Sequence, residues 1–291
     1  MVRLRRLSRN AELTSCHKYI NQLRDKGRLL RCFTQNIDGL QTRERSDMSQ
    51  VVVELHGNNV LLLCHKCNRL PKEDIEELDE RIMRDGMIEC SRCNENRQGL
   101  SSNRRLRLLR PGYLLPRVLY NQDSVELEQG GLNLDQLEQA AGSADLLLVI
   151  GTSLSIEGPA KLVQSLAQKA HQVGGAVIYV GKGRLTLSKW CTYFDLHIET
   201  DIDMWASEAS YHMGKNRRTT NIRKQISFVT EELNTSSIGQ TVETYAPVPL
   251  HNGNKDTSKT VPKPDPIRLF LIVCHPGTAP VLAEAFVSRV S

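Results

Sequence analysis

No stretch of this 291-residue chain is apolar for long enough to cross a membrane as a helix, which takes about 18 residues or more. The longest candidate, Leu269 to Cys274, falls far short. The N-terminus, Met1-Val2-Arg3-Leu4-Arg5-Arg6, is basic and lacks the apolar core of a secretory signal. That lack sets the expectation for the eight cysteines. Without an export signal, closely spaced pairs favour a metal over disulfides, in a reducing cytosol or nucleus. No internal repeat is apparent, and no serine or cysteine stands out as a nucleophile.

What is present is ordinary in bulk and uneven in detail. Hydrophobic residues at 40% and charged residues at 24% suit a globular chain, long enough for one large domain or two smaller ones. The net charge is +5. Residues 1–31 hold nine Lys/Arg against two acids, and residues 97–117 hold six Arg and no acid. Such patches suit an acidic partner, chromatin or nucleic acid, while the bland reading is a solvated surface.

The most specific local feature is Cys64-His65-Lys66-Cys67 with Cys90-Ser91-Arg92-Cys93, two CxxC pairs 22 residues apart. Each pair puts two thiolates on one side of a tight turn, and two such turns make a four-sulfur cage for Zn²⁺. With all four ligands from protein, such a site is closed and structural.

Around it the chain alternates strand and helix. Leu13, Cys16, Tyr19, Ile20 and Leu23 form one stripe of a helix over residues 12–26, ended by Gly27. Leu29 to Phe33, Val51 to Leu55, Arg117 to Tyr120, Asp145 to Ile150, Ala176 to Val180 and Phe194 to Ile198 read as strands. Leu134 to Ala141, the stretch with Leu162, Val163, Leu166, Ala167 and Ala170, and Asp201 to Met213 read as helices, and residues 94–110 as a loop. This predicts an α/β fold: a Rossmann-like, mostly parallel sheet with helices on both faces, plus a small inserted four-cysteine zinc-binding domain. The expected boundaries are 1–60 and 111–213 for the sheet domain, 61–110 for the zinc domain, and 214–291 for a basic, disordered tail.

In such sheets ligands bind beyond the carboxyl ends of the strands. Gly151-Thr152-Ser153 follows one strand and precedes a helix, where small residues and free N–H groups cradle phosphates, although the tripeptide also serves in plain turns. Gln35, Asn36 and Asp38 follow another; they suit ribose hydroxyls or a carboxamide, or an Asx turn. His56 follows a third and suits a general base, though a lone histidine is more often structural.

Taken together, Thr34-Gln35-Asn36-Ile37-Asp38-Gly39-Leu40, Glu54-Leu55-His56-Gly57, the four cysteines, Gly151-Thr152-Ser153-Leu154 and Asp201-Ile202-Asp203 resemble the sirtuin family of NAD-dependent protein deacylases. The resemblance runs from about Leu13 to Met213, and Leu115-Pro116-Arg117-Val118-Leu119-Tyr120-Asn121 looks most like fungal nuclear sirtuins that deacetylate histones. It implies NAD and Zn²⁺ as cofactors, an acetylated protein, a histone, as partner, nuclear or cytoplasmic action, and transfer of the acetyl group to ADP-ribose with release of nicotinamide. It implies His56 as the base, Gln35, Asn36 and Asp38 around the nicotinamide ribose, Gly151, Thr152 and Ser153 at the phosphates, and Asp201 and Ile202 near the adenine. Val118, Leu119, Tyr120 and Asn121 would lie by a substrate peptide that pairs as an extra strand.

The chain also departs from the family pattern. A Gly-Ala-Gly-Ile-Ser turn and an Asp-Phe-Arg loop are missing, Gly181 stands where an Asn is usual, and Gly158-Pro159 shifts the usual proline. The expectation is a sheet with unpaired central edges, weak NAD binding and impaired activity. The alternatives are a non-catalytic zinc module that binds chromatin or nucleic acid, and an inactive scaffold of sirtuin shape.

Overall fold

The computed structural model describes residues 1–99, 111–118, 144–182, 185, 187–214, 241–244 and 269–273. The chain divides into two compact units. One comprises Met1–Glu12, Asn36–Arg43 and His56–Val125; the other comprises Leu13–Gln35, Glu44–Leu55 and Glu126–Ser291.

The larger unit is a seven-stranded sheet, ordered β2 (Val52–Glu54), β1 (Leu29–Thr34), β9 (Leu269–Val273), β5 (Leu146–Ile150), β6 (Ala176–Gly181), β7 (Leu196–Glu199) and β8 (Thr241–Thr244). All neighbours pair in parallel except β8, which runs antiparallel along β7. Strand β5 explains why the sheet needs cover on both faces. Its side chains alternate between two cores, as the period of two demands. Leu147 and Val149 pack with Val163, Leu166, Ala167 and Ala170 of helix α6 (Glu157–Gln172). Leu148 and Ile150 pack with Ile20 and Leu23 of α2 (Ser15–Asp25) and with Ile202 and Ala206 of α8 (Ile202–Gly214), which follows the short α7 (Leu187–Trp190). Each such leucine, isoleucine or valine taken from water contributes about 1.5–3 kcal/mol before the entropy of ordering is counted.

Helix α2 ends as Gly27 suggests. Gly27 takes φ +64°, its N–H donates to Arg24 O at 2.9 Å, and Arg28 N–H reaches back to Leu23 O at 2.9 Å, which satisfies carbonyls the last turn would leave open. Helix α6 begins two residues before Pro159, so the proline lies in the first turn, where its missing N–H costs no helical bond.

Two expectations about the sheet need correction. The tail beyond residue 214 is not without structure: Thr241–Thr244 forms β8 and Leu269–Val273 forms β9. Strand β9 also closes the expected gap. It pairs in parallel with both β1 and β5, with Val273 level with Thr34 and with Ile150, so neither edge is left open. A five-residue apolar segment is what a slot between two buried parallel strands accepts.

The smaller unit is built on an antiparallel pair, β3 (Gly57–Cys64) and β4 (Leu114–Val118). Helix α4 (Ile75–Asp85) is capped by the Asp74 carboxylate, which accepts from Glu76 N–H at 2.8 Å. Leu62, Leu78, Ile88 and Leu114 form its core beside Cys64 and Cys90. Helix α5 (Ser91–Gly99) replaces the first part of the loop expected over residues 94–110; the remainder, and the expected helix at 134–141, lie outside the described residues.

Residues 1–12 fall with this unit, and not with the sheet as the 1–60 boundary expects. The cause is charge. Arg5, on α1 (Val2–Asn10), is 1% exposed, and its guanidinium donates to Asp79 Oδ1 at 2.6 and 2.8 Å and to Asn59 O at 2.8 Å. Arg9 adds a bond to Asp79 Oδ2 at 2.5 Å. Arg43, on the short helix α3 (Leu40–Arg43), donates to the carbonyls of Ser8 and Ala11 at 2.7 Å each, which caps the end of α1. Part of the basic excess in residues 1–31 is therefore internal, and Arg5 is not available to an acidic partner.

Candidate metal centre and strand-end sites

The four cysteines converge. Sγ atoms of Cys64, Cys67, Cys90 and Cys93 all lie within 4.8 Å of one another. Cys64 Sγ is 3.7 Å from Cys93 Sγ, and Cys67 Sγ is 3.8 Å from Cys90 Sγ. A tetrahedral Zn²⁺ with Zn–S bonds of about 2.3 Å spaces its sulfurs by about 3.8 Å, so the donor set fits that ion. Burial works against a charged Cys64, but N–H groups of Cys67 and Lys66 outweigh it and bring the thiol down to about 7. Cys93 is pushed up to about 12 by burial and by its three neighbouring thiols. Four thiolates this close require a dication to share. Gly112 lines the cage: a Cβ there would stand 2.5 Å from Cys64 Sγ and 2.9 Å from Cys93 Sγ. Sequence reading missed it, although Pro111-Gly112 marks a turn.

The remaining candidate residues divide between the units, because the chain passes from one to the other between Gln35 and Asn36 and again between Leu55 and His56. In the smaller unit, the loop holding Asn36 and Asp38 is tied to the start of β3 by Asn59 N–H donating to Ile37 O at 2.8 Å. Asp38 is 7% exposed and accepts from Leu40 N–H at 3.0 Å, the Asx turn that was the alternative reading. Gly39 follows with φ +68°, and a Cβ there would strike the Asn58 amide at 2.9 Å. His56 stands one residue before β3. Its Nε2 is buried and has no hydrogen-bond partner among the described residues. Burial lowers its pKa below the ordinary 6.5, so the ring stays neutral and its free nitrogen is basic at neutral pH.

In the larger unit, three loops leave carboxyl ends of parallel strands. Gln35 follows β1, and its Nε2 donates to Thr152 Oγ1 at 3.0 Å, so the structure joins these two predicted residues. Gly151 follows β5 with φ +67°, a conformation glycine adopts without strain. Thr152 is 2% exposed, whereas Ser153 is exposed, with its hydroxyl 2.8 Å from Ser155 Oγ. Asp201 follows β7 and caps α8, accepting from the N–H groups of Asp203 and Met204 at 3.0 and 3.1 Å. A hydrogen bond from Lys182 chiefly holds its carboxyl below the usual carboxylate range. Ile202 is packed in the core, so a ligand could meet only its backbone. Val118 ends β4, level with Gly57; Leu119, Tyr120 and Asn121 lie outside the described residues. Sequence reading also missed Tyr179, whose hydroxyl donates to the Thr152 carbonyl at 2.8 Å. The signal was Gly181: a glycine at the end of a strand leaves room for a close approach by another group.

A Rossmann-like sheet with polar residues at its strand ends, together with a four-thiol cage that fits zinc, defines the class. The model of the Sir2 family matches residues 1–158, more than half of the chain. The chain belongs to the Sir2 family. Among its relatives are the NAD-dependent histone deacetylase HST3 of Candida albicans, 36% identical over 225 residues (70% of this chain, 45% of the relative). The protein of the same name from Saccharomyces cerevisiae is 34% identical over 233 residues (70% of this chain, 50% of the relative). The chain thus spans about half the length of these curated relatives. A solved structure described as a Sir2–p53 peptide–NAD+ complex shares the fold, with a TM-score of 0.53 at 21% identity, over 71% of this chain and 72% of that one.

Proposed function

We propose that the chain carries NAD-dependent protein deacetylase chemistry, directed at acetylated lysine in a histone and exercised in the nucleus. The reading is supported by the Sir2 family membership and by relatives named as histone deacetylases. NAD, when bound, supplies the acceptor for the acetyl group and carries nicotinamide as its own leaving group. The protein then needs chiefly to orient the reactants and to supply one base. His56 is that base, taking a proton from a ribose hydroxyl on its unpartnered Nε2. Gln35, Asn36 and Asp38 bind the nicotinamide ribose, the N–H groups of Gly151, Thr152 and Ser153 bind the phosphates, and Asp201 and Ile202 lie by the adenine. The segment from Val118 to Asn121 pairs with the substrate peptide. Zinc on Cys64, Cys67, Cys90 and Cys93 stabilises the small unit and takes no part in the reaction. The zinc module, 61–110 in sequence, belongs to the smaller unit, and the run of six arginines and no acid over residues 97–117 attracts chromatin.

The observation that carries the proposal is the buried, unpartnered Nε2 of the half-buried His56, whose pKa burial lowers. The test is nicotinamide release from NAD with an acetylated histone peptide. Wild type should turn over, and His56→Ala should lose about 10²–10⁴-fold. Equal rates in the two proteins would show that the base is elsewhere. No turnover by the wild type, with salt-sensitive nucleic-acid binding instead, would favour a non-catalytic module.

A further inference from the structure

Thr152 is held from several directions. Its hydroxyl accepts from Gln35 Nε2 at 3.0 Å and from Leu154 N–H at 3.1 Å. The preceding residue, Gly151, donates its N–H to Val180 O at 2.8 Å. The Thr152 carbonyl accepts from the phenol of Tyr179 at 2.8 Å. Thr152 and Tyr179 are each 2% exposed, so water does not compete for this bond. The phenol ring is itself braced, edge-on to His197 with centroids 4.8 Å apart and tilted against Phe194 at 5.5 Å.

The Thr152 carbonyl and the Ser153 N–H belong to one planar, trans peptide unit, so they point in opposite directions. Pinning the carbonyl onto the buried phenol therefore aims the Ser153 N–H the other way, at a residue whose side chain is exposed. Among the described residues nothing accepts from that N–H. An outward N–H at the carboxyl end of a central parallel strand, just before a helix, is what an anion-binding turn requires. Tyr179 stands two residues before Gly181 on β6, hence on the same face. A Cβ at position 181 would lie 2.9 Å from the Tyr179 hydroxyl and 3.2 Å from its Cζ. The phenol reaches Thr152 only because residue 181 has no side chain.

We propose that Tyr179 is a positioning residue for the pyrophosphate of the bound dinucleotide, acting through the Thr152–Ser153 peptide, and that Gly181 is glycine to leave room for its hydroxyl. This rests on the reading of Gly151–Ser153 as the phosphate-binding turn. The two residues then act as one device, which makes the test a cycle. Full-length Tyr179→Phe, Gly181→Ala and the double variant are titrated calorimetrically with ADP-ribose and with adenosine, and their thermal unfolding is followed. Each single variant should bind ADP-ribose about three- to tenfold more weakly, the worth of one hydrogen bond. Adenosine, which has no phosphate, should bind each as it binds the wild type. The double variant should be no weaker than Tyr179→Phe, since the same bond is lost once. Unchanged ADP-ribose binding by Tyr179→Phe, an equal loss for adenosine, or multiplied effects in the double variant would overturn the proposal alone. Failure of the wild type to bind ADP-ribose would overturn the phosphate-turn reading and the proposal with it.

Discussion

Gly112→Ala adds one methyl group to the zinc cage and removes no ligand. The new Cβ would stand 2.5 Å from Cys64 Sγ and 2.9 Å from Cys93 Sγ, against about 3.5–4 Å for an ordinary contact. About 1 Å of movement must be found, and metal–ligand distances tolerate only about 0.2 Å. The backbone has little freedom to yield. Gly112 O accepts Cys90 N–H at 2.7 Å, and Tyr113 exchanges hydrogen bonds with His65, giving its N–H to Nδ1 at 3.0 Å and accepting His65 N–H at 3.1 Å. Overpacking of this kind costs about 1–3 kcal/mol, or about 5- to 140-fold in zinc affinity at 1.4 kcal/mol per tenfold. Competition against a chromophoric chelator measures this directly. Gly158→Ala is the control, because a Cβ at that position meets nothing within 4 Å. The reasoning is refuted if Gly112→Ala holds zinc within about twofold of the wild type while unfolding at the same temperature.

Three further outcomes are expected. Asp79→Asn leaves the Arg5 guanidinium buried without its counter-charge, at side-chain exposures of 1% and 0%, and should destabilise the small unit by about 3–5 kcal/mol; a melting midpoint within about 2 °C of wild type would contradict this. Because burial lowers the pKa of His56, more acid is needed to protonate it, so the acid limb of kcat/KM should have its midpoint below 6.5. A limb centred above 6.5 would remove His56 as the base. A chain cut before Ile267 loses β9 and exposes the facing edges of β1 and β5, and should lose its cooperative thermal transition or aggregate. An unchanged, cooperative melt of that shortened chain would mean that the sheet does not depend on β9.

The features legible in the sequence are those whose information is local. The two CxxC turns carry their own ligand spacing, and the structure brings all four sulfurs together. The buried run Leu146–Ile150, the stripe Cys16, Tyr19, Ile20 and Leu23, and the strand-end position of Gly151 each follow from the period of one element. Gln35 and Thr152 were both picked from their places after strands, but their hydrogen bond could not be read, because it joins residues 117 apart.

Sequence alone therefore determined the fold class, which four cysteines come together and which polar loops stand at the strand ends, since spacing and apolar period act over a few residues. Tertiary structure decided which segment fills the middle of the sheet, which arginine is internal and which side chain holds the Gly151–Ser153 turn. Leu269–Val273 is only a short apolar run until two parallel edges, at Leu29–Thr34 and Leu146–Ile150, compete for it. Arg5 looks like surface charge until Asp79, 74 residues on, is buried against it. Tyr179 looks like any β-strand aromatic until Gly181 leaves its hydroxyl room to reach Thr152. Each of these depends on which distant group shares a desolvated space, and such pairing is set when the elements pack.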